Sequence, residues 1–325
     1  MPDQWHAFDL VEAFQLARAV ATLHDLGLLA ALKQPATADE LSSRYALDAG
    51  LLRGVLEYVA ARTDLLRKSG GRFVTTRAYA GGSRFLLDLY VGAYGGNAAR
   101  LAELLRDPTS APKAVNRALH ARAFDAADGS TLGVLPEIIR RLGFNHLLDL
   151  GCGSGALLLE LAGQDSEFVG WGIDINPAMC RVARARIRAA RLGKRVRVTV
   201  GDCRNPTSML PAGVSDRVRA VTACNVANEM FGDGGESAVA WLQGLRQALP
   251  GRPLLLVDYY GRLGRKGGRP DPRTLLHDYV QLISGQGVPP ANAAEWRSIY
   301  SRAGCRPLHI IEDKATTRFI HILRL

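Results

Sequence analysis

Three acidic residues close three successive apolar runs: Asp149 in "LLDLGCGSG", Asp174 in "GIDINP" and Asp202 in "VGDC". The first is followed by glycines spaced GxGxG (Gly151, Gly153, Gly155). Without side chains there, the backbone can approach a ligand closely. The spacing is not the GxGxxG of dinucleotide sites. An aspartate just before the glycines would repel a pyrophosphate but attract an ammonium or sulfonium group. Asp174 can accept both hydroxyls of a ribose, and Asn176-Pro177 then cap and start a helix. Asp202 is placed to meet an adenine amino group. Acids at three strand ends predict a ligand crevice at the carboxyl edge of a parallel sheet.

Proton-transfer chemistry has fewer candidates. "CNVANEMFGD" (224–233) offers Asn225, Asn228 and Glu229. An asparagine can orient a substrate but cannot take its proton. Glu229 becomes a usable base if burial raises its pKa; otherwise it is a carboxylate at a helix start. "LLHDYVQLISGQG" supplies His277 and Asp278, and His277 can serve as general base or metal ligand. His309 reads as exposed on an edge, and His321, between Ile320 and Ile322, as a satisfied core histidine.

The elements that must position these groups follow from the hydrophobic pattern. From "HLLDLG" to "PLLLVDYY", five short apolar runs alternate with helical segments, notably 177–192 and 236–249, which predicts a doubly wound parallel sheet. "PLHIIED" and "TTRFIHILRL" read as a terminal antiparallel hairpin, giving seven strands. Upstream, residues 8–33 read as helix, Thr37 and Glu40 have capping-box spacing, and Asp48 can cap the next helix. A hairpin around Gly70-Gly71 follows, so the order is that of a winged helix. Residues 49–61 offer few polar side chains for base edges, which favours packing or dimerisation over DNA recognition. Residues 85–142 read as helical, bridging two domains and roofing the pocket. The expected division is 1–124 and 125–325.

These motifs together resemble the class I S-adenosylmethionine-dependent methyltransferases over residues 125–325. The N-terminal half resembles the small-molecule O-methyltransferases, which the resemblance makes homodimers interlocked through that domain. It implies S-adenosylmethionine as cofactor, bound by Asp149, Gly151, Gly153, Asp174 and Asp202, with Ile175, Cys203 and Asn225 alongside. Gly155 would permit tight helix packing, and Cys152 and Cys203 would fill space. In those O-methyltransferases a His-Asp pair often follows the fourth strand of the sheet; here "CNVANEMF" stands there. The lost histidine and the "HDY" at 277–279 resemble instead a subgroup that methylates the carbon beside the keto group of amino-acid-derived 2-oxo acids. That subgroup uses a metal to polarise the carbonyl. The leading expectation is therefore C-methylation of a 2-oxo acid, with His277 holding a divalent or iron ion and His277, Asp278 and Glu229 as catalytic residues. O-methylation of a hydroxylated aromatic or secondary metabolite is the alternative.

Composition narrows the partners. The chain has 325 residues, 47% hydrophobic and 22% charged, enough for two domains with buried cores. No apolar run reaches the length of a membrane span. The N-terminus does not read as a signal peptide, and five scattered cysteines fit a reducing cytoplasm. The net charge of +10 comes from arginines spread along the chain, including the run Arg181 to Arg197. These read as solvated faces rather than a nucleic-acid surface.

Overall fold

The structure is a computed structural model that describes residues 5–79, 82–126, 133–205, 210, 213–265, 271–313 and 316–325. The chain divides into two compact units, Met1–Gly95 with Arg122–Ala127, and Gly96–Ala121 with Asp128–Leu325. Residues 96–121, which the sequence reading groups with the first domain, pack with the second unit.

In the first unit, helices at Ala7–Asp25, Leu28–Ala31, Ala38–Tyr45 and Ala49–Arg62 precede a two-stranded hairpin, β1 (Leu66–Ser69) and β2 (Arg72–Thr75). The caps read from sequence are present. Glu40 N–H donates to Thr37 Oγ1 and Thr37 N–H to Glu40 Oε2, and Leu51 N–H donates to Asp48. Leu28, Leu29, Leu32, Leu41, Leu56, Val59 and Phe73 form the unit's core. The first helix leaves Phe8, Leu10, Val11 and Phe14 exposed.

The second unit is built on a seven-stranded sheet. Its strands are β3 (His146–Leu150), β4 (Val169–Asp174), β5 (Val196–Val200), β6 (Ala220–Cys224), β7 (Pro253–Tyr259), β8 (Arg306–Asp313) and β9 (Arg318–Arg324). The order is β5-β4-β3-β6-β7-β9-β8. β3 to β7 run parallel, and β9 is antiparallel to both β7 and β8. The expected doubly wound sheet with an antiparallel terminal hairpin is thus present. The winding reverses between β3 and β6, the position where such sheets open a crevice at their carboxyl edge.

Both faces of the sheet are covered, so its central strands carry nearly continuous apolar runs. One face packs Leu147, Val196 and Leu255 against Leu135, Leu158 and Ile187 from its helices. The other packs Leu148, Val221 and Leu256 against Leu242, Trp296 and Tyr300. His321 lies fully buried there, bracketed by the Tyr300 hydroxyl at 2.6 Å and the Tyr260 hydroxyl at 3.1 Å, and stacked on Phe319. Burial pushes its pKa down to about 3. It is the satisfied core histidine expected from sequence, and His309 is exposed on edge strand β8.

Candidate functional site

Along the β3–β5 half of the carboxyl edge, the backbone and two carboxylates form a cradle. Gly151, Gly153 and Gly155 all have positive φ. A Cβ on Gly151 would stand 2.5 Å from Val226 Cγ2, so this position tolerates no side chain. Asp174 holds the loop: Oδ2 accepts from Gly153 N–H and Oδ1 from Asn176 N–H, both at 2.8 Å. Asn176 caps the helix Pro177–Ala189 through Ala178 N–H, as its sequence implies. Ile175 follows with 59% of its surface exposed, an apolar plate beside the acid.

Asp149 lies deeper. It is buried and accepts from Thr222 Oγ1 at 2.7 Å. Burial, opposed by that hydrogen bond and reinforced by the charge of Asp174, lifts its pKa to about 7. A cation arriving above the loop would favour its ionised form. Asp202 is half-buried and engaged by Arg204, whose Nε donates to both carboxylate oxygens at 2.9 and 2.8 Å. That contact holds its pKa below the usual range. A ligand at Asp202 must share the carboxylate with Arg204.

Cys152 is buried against Gly172, where a Cβ would meet its Sγ at 2.6 Å. Cys203 accepts from Trp241 Nε1 through its carbonyl. Burial raises the pKa of both thiols, so they fill space and stay protonated. The bare loop, the braced Asp174 and the apolar plate of Ile175 fit a nucleoside with a cationic tail.

The β6–β9 half of the edge is different. His277, on the helix Pro272–Ile283, packs edge to face on Tyr259 at the end of β7, with ring centroids 5.1 Å apart. Gln281, one turn on, reaches His277 Nε2 at 3.3 Å. Gln281 Oε1 is otherwise buried without a partner. The amide orientation that presents this oxygen to an Nε2–H satisfies it and leaves Nδ1 as the basic nitrogen. Burial pushes the His277 pKa down to about 4, with Asp278 opposing and Arg318 adding to the shift. His120 lies near enough to His277 to feel it, and burial, Arg117 and His277 push it down to about 4 as well. Both imidazoles are therefore neutral at pH 7.

Glu229 sits on the 3-10 turn Ala227–Met230 after β6. Its side chain is accessible but walled in by protein, and that crowding raises its pKa, with Asp174 adding and Arg117 and Arg204 opposing. A close backbone approach joins this turn to the end of the His277 helix. Phe231 N–H donates to the Gln286 carbonyl at 2.8 Å, and a Cβ on Gly287 would fall 2.2 Å from Phe231.

The residues read as one catalytic and metal group do not converge. Asp278 is fully buried, and its Oδ2 accepts from Arg262 N–H and Leu263 N–H at 2.5 and 2.8 Å, which fixes the loop after β7. Among the described residues, the carboxylate and imidazole atoms close enough to share an ion are those of His24, Asp25 and Asp88, in the other unit. There the guanidinium of Arg122 already bridges Asp25 and Asp88. The described residues thus do not form a ligand set for the metal expected at His277. Asn225, expected beside the cofactor, has φ +53°, and its Oδ1 accepts from Arg318 Nη2.

Comparison with known proteins bears on the cradle first. A methyltransferase domain model matches residues 147–243. The chain has the class I methyltransferase architecture. Solved structures share the fold across nearly its whole length. Mitomycin 7-O-methyltransferase superimposes with a TM-score of 0.75 at 20% identity, covering 97% of this chain and 96% of that one. Human N-acetylserotonin methyltransferase, in complex with S-adenosylmethionine, gives 0.73 at 15% identity over 100% and 99%. An O-methyltransferase from neocarzinostatin biosynthesis, bound to S-adenosylmethionine and 2-hydroxy-5-methyl naphthoic acid, gives 0.65 at 19% over 96% and 95%. A release factor glutamine methyltransferase of Rhodospirillum rubrum is 46% identical over 57 residues, and the chain spans only 18% of its length.

Sequence reasoning missed His120, Tyr259 as the support of His277, Gln281, and Arg318. Gln281 had a signal, being four residues from His277 and so on the same helix face. The others come from separate elements, and no spacing rule joins them. No helix among the described residues is long and apolar enough to cross a membrane.

Proposed function

We propose that the chain transfers a methyl group from S-adenosylmethionine to a hydroxyl of a small molecule. The observation that carries this reading is the juxtaposition, at one sheet edge, of the glycine and carboxylate cradle with the neutral His277–Tyr259–Gln281 group. S-adenosylmethionine supplies an electrophilic methyl on a sulfonium. In this reading Asp174 and the backbone of Gly151–Gly153 hold the nucleoside, and Asp149 and Asp202 flank it. His277 takes the hydroxyl proton as the oxygen attacks, a role open to it because it is unprotonated at neutral pH. Glu229 is the second acid–base group. Placement of the two reactants in line supplies most of the remaining rate.

The expectation of 2-oxo acid C-methylation gives way to this one. The structural relatives named above include two O-methyltransferases, and Asp278, expected to act beside His277, instead binds the backbone after β7. A mass-resolved assay with S-adenosylmethionine, hydroxylated aromatics and 2-oxo acids, each with and without a chelator, tests the choice. Chelator-insensitive gain of one methyl on a hydroxyl is expected. Chelator-sensitive methylation of a 2-oxo acid would overturn it.

Two further readings go with it. The exposed Phe8 and Phe14 on the first helix, 70% and 62% accessible, support a homodimer formed through the first unit, whose order of helices and hairpin supports a winged-helix reading. Light scattering of the wild type against F8S/F14S should show a dimer converting to monomer. Five unpaired thiols support a reducing, cytoplasmic setting.

A further inference from the structure

The β9 end of the crevice carries a cation that the methyl-transfer reading leaves without a task. Arg318 opens β9, and in the antiparallel register its Cα partner is Tyr259, the last residue of β7. Residues directly opposite in such a pair share a face of the sheet. Arg318 therefore stands on the face where Tyr259 meets His277. Its Nη2 donates to Asn225 Oδ1, just past β6, so the guanidinium reaches over the end of β7 towards the middle of the crevice.

The guanidinium has five N–H donors in a rigid fork. Asp313, its Cα partner on β8, shares that face and accepts from Thr316 Oγ1, but among the described residues no carboxylate oxygen, that of Asp313 included, lies within the 4.0 Å of an ion pair with Arg318. The carboxyl of Asp258 has its two oxygens taken by Tyr259 N–H and Asn228 N–H. Burial lifts its pKa to about 7, which makes it a weak counterion. Arg318 is itself half-buried. A half-buried guanidinium attracts an anion more strongly than an exposed one, because the local dielectric is lower. Planar fork geometry favours a carboxylate.

We propose that the acceptor bears a carboxylate, gripped by Arg318 and held by Asn225, so that its reacting group is presented to His277. This rests on the methyltransferase reading of the same site and adds the acceptor's chemical class. Arg318 is thereby a substrate-positioning residue, and it sets a preference for acids over their neutral isosteres.

The test uses the full chain saturated with S-adenosylhomocysteine. Two probe pairs are titrated by calorimetry: 4-hydroxybenzoate against 4-hydroxybenzamide, and phenylpyruvate against phenylpyruvamide. At least one acid should bind about tenfold or more tightly than its amide. R318Q should erase that preference, and R318K should restore part of it, since lysine keeps the charge but loses the fork. Equal binding of acid and amide by the wild type, a preference that survives in R318Q, or failure of all four probes to bind would overturn the inference. The titration with S-adenosylhomocysteine is read separately. If it does not bind, the cofactor reading fails; if it binds and acids are not preferred, only the role of Arg318 fails.

Discussion

The two halves of the crevice are made in opposite ways. The half proposed to hold the cofactor is acidic and is built from short strand-to-helix turns, each contributing a residue or two within a few positions of a strand end. The half proposed for the acceptor draws on residues at 117–120, 225–229, 259, 277–281 and 318, five separate stretches of chain, and mixes neutral imidazoles and two arginines with the acid Glu229. Its electrostatics are inverted as well. Burial leaves Asp149 able to change charge near pH 7, whereas it strips the proton from His277 and His120. The contrast suits a reaction in which one ligand is a cation and the other must lose a proton.

Substitutions that separate the halves can break this picture. The largest effect is expected for His277→Asn: about a hundredfold to ten-thousandfold loss of kcat, as for removal of a general base. Affinity for S-adenosylhomocysteine, read by calorimetry, should stay within about twofold. Loss of cofactor affinity in this variant would mean that the halves are not independent. Asp174→Asn should do the reverse. It weakens the brace on Gly153 and removes the charge proposed to accept the ribose hydroxyls, for about a tenfold to hundredfold loss of cofactor affinity. The acceptor KM at saturating cofactor should change little.

A pH profile sharpens the assignment of the base. His277, with a pKa near 4, stays unprotonated when the pH falls from 7 to about 5, so kcat should stay flat across that window. Glu229, whose pKa its surroundings raise, is the group whose protonation would lower the rate as the pH falls. A rate that falls there, and becomes flat in Glu229→Gln, would transfer the proton-acceptor role to Glu229. The smallest effect is expected in the arginine run. Arg195 donates to the carbonyls of Ala162, Asp165 and Phe168, fastening one helix end to β5. Arg195→Gln should lower the melting temperature by a few degrees, roughly 1–2 kcal/mol, and leave turnover unchanged.

The same contrast explains what the sequence made legible. Asp149, the glycines and Asp174 were readable because a strand, a tight turn and a helix start lie within about ten residues and leave a local pattern. The sheet was readable because its strands are short apolar runs. The misreading of Asp278 has a physical cause. A histidine and an aspartate adjacent on a helix diverge by about 100°, so sequence neighbours there do not face one target. His277 turns to Tyr259 while Asp278 turns to the loop backbone. His120 and Arg318 carry no local pattern, since their proximity to His277 exists only after the sheet has formed. Arg184 and Arg186, read as part of a solvated run, in fact bond to the Val198 carbonyl and Ser154.

The position of β9 between β7 and β8 has a consequence for how the molecule comes into being. Of the seven strands, the one that occupies that interior slot is synthesised after the other six, and it brings Arg318 with it. On the ribosome, β3 to β5 and their turns can pair while β9 is still in the exit tunnel, and β8 must wait unpaired for its neighbour. Nascent chains stalled before residue 318 should therefore hold a cofactor cradle next to an unfinished acceptor wall, with β7 offering a bare edge for a chaperone to shield.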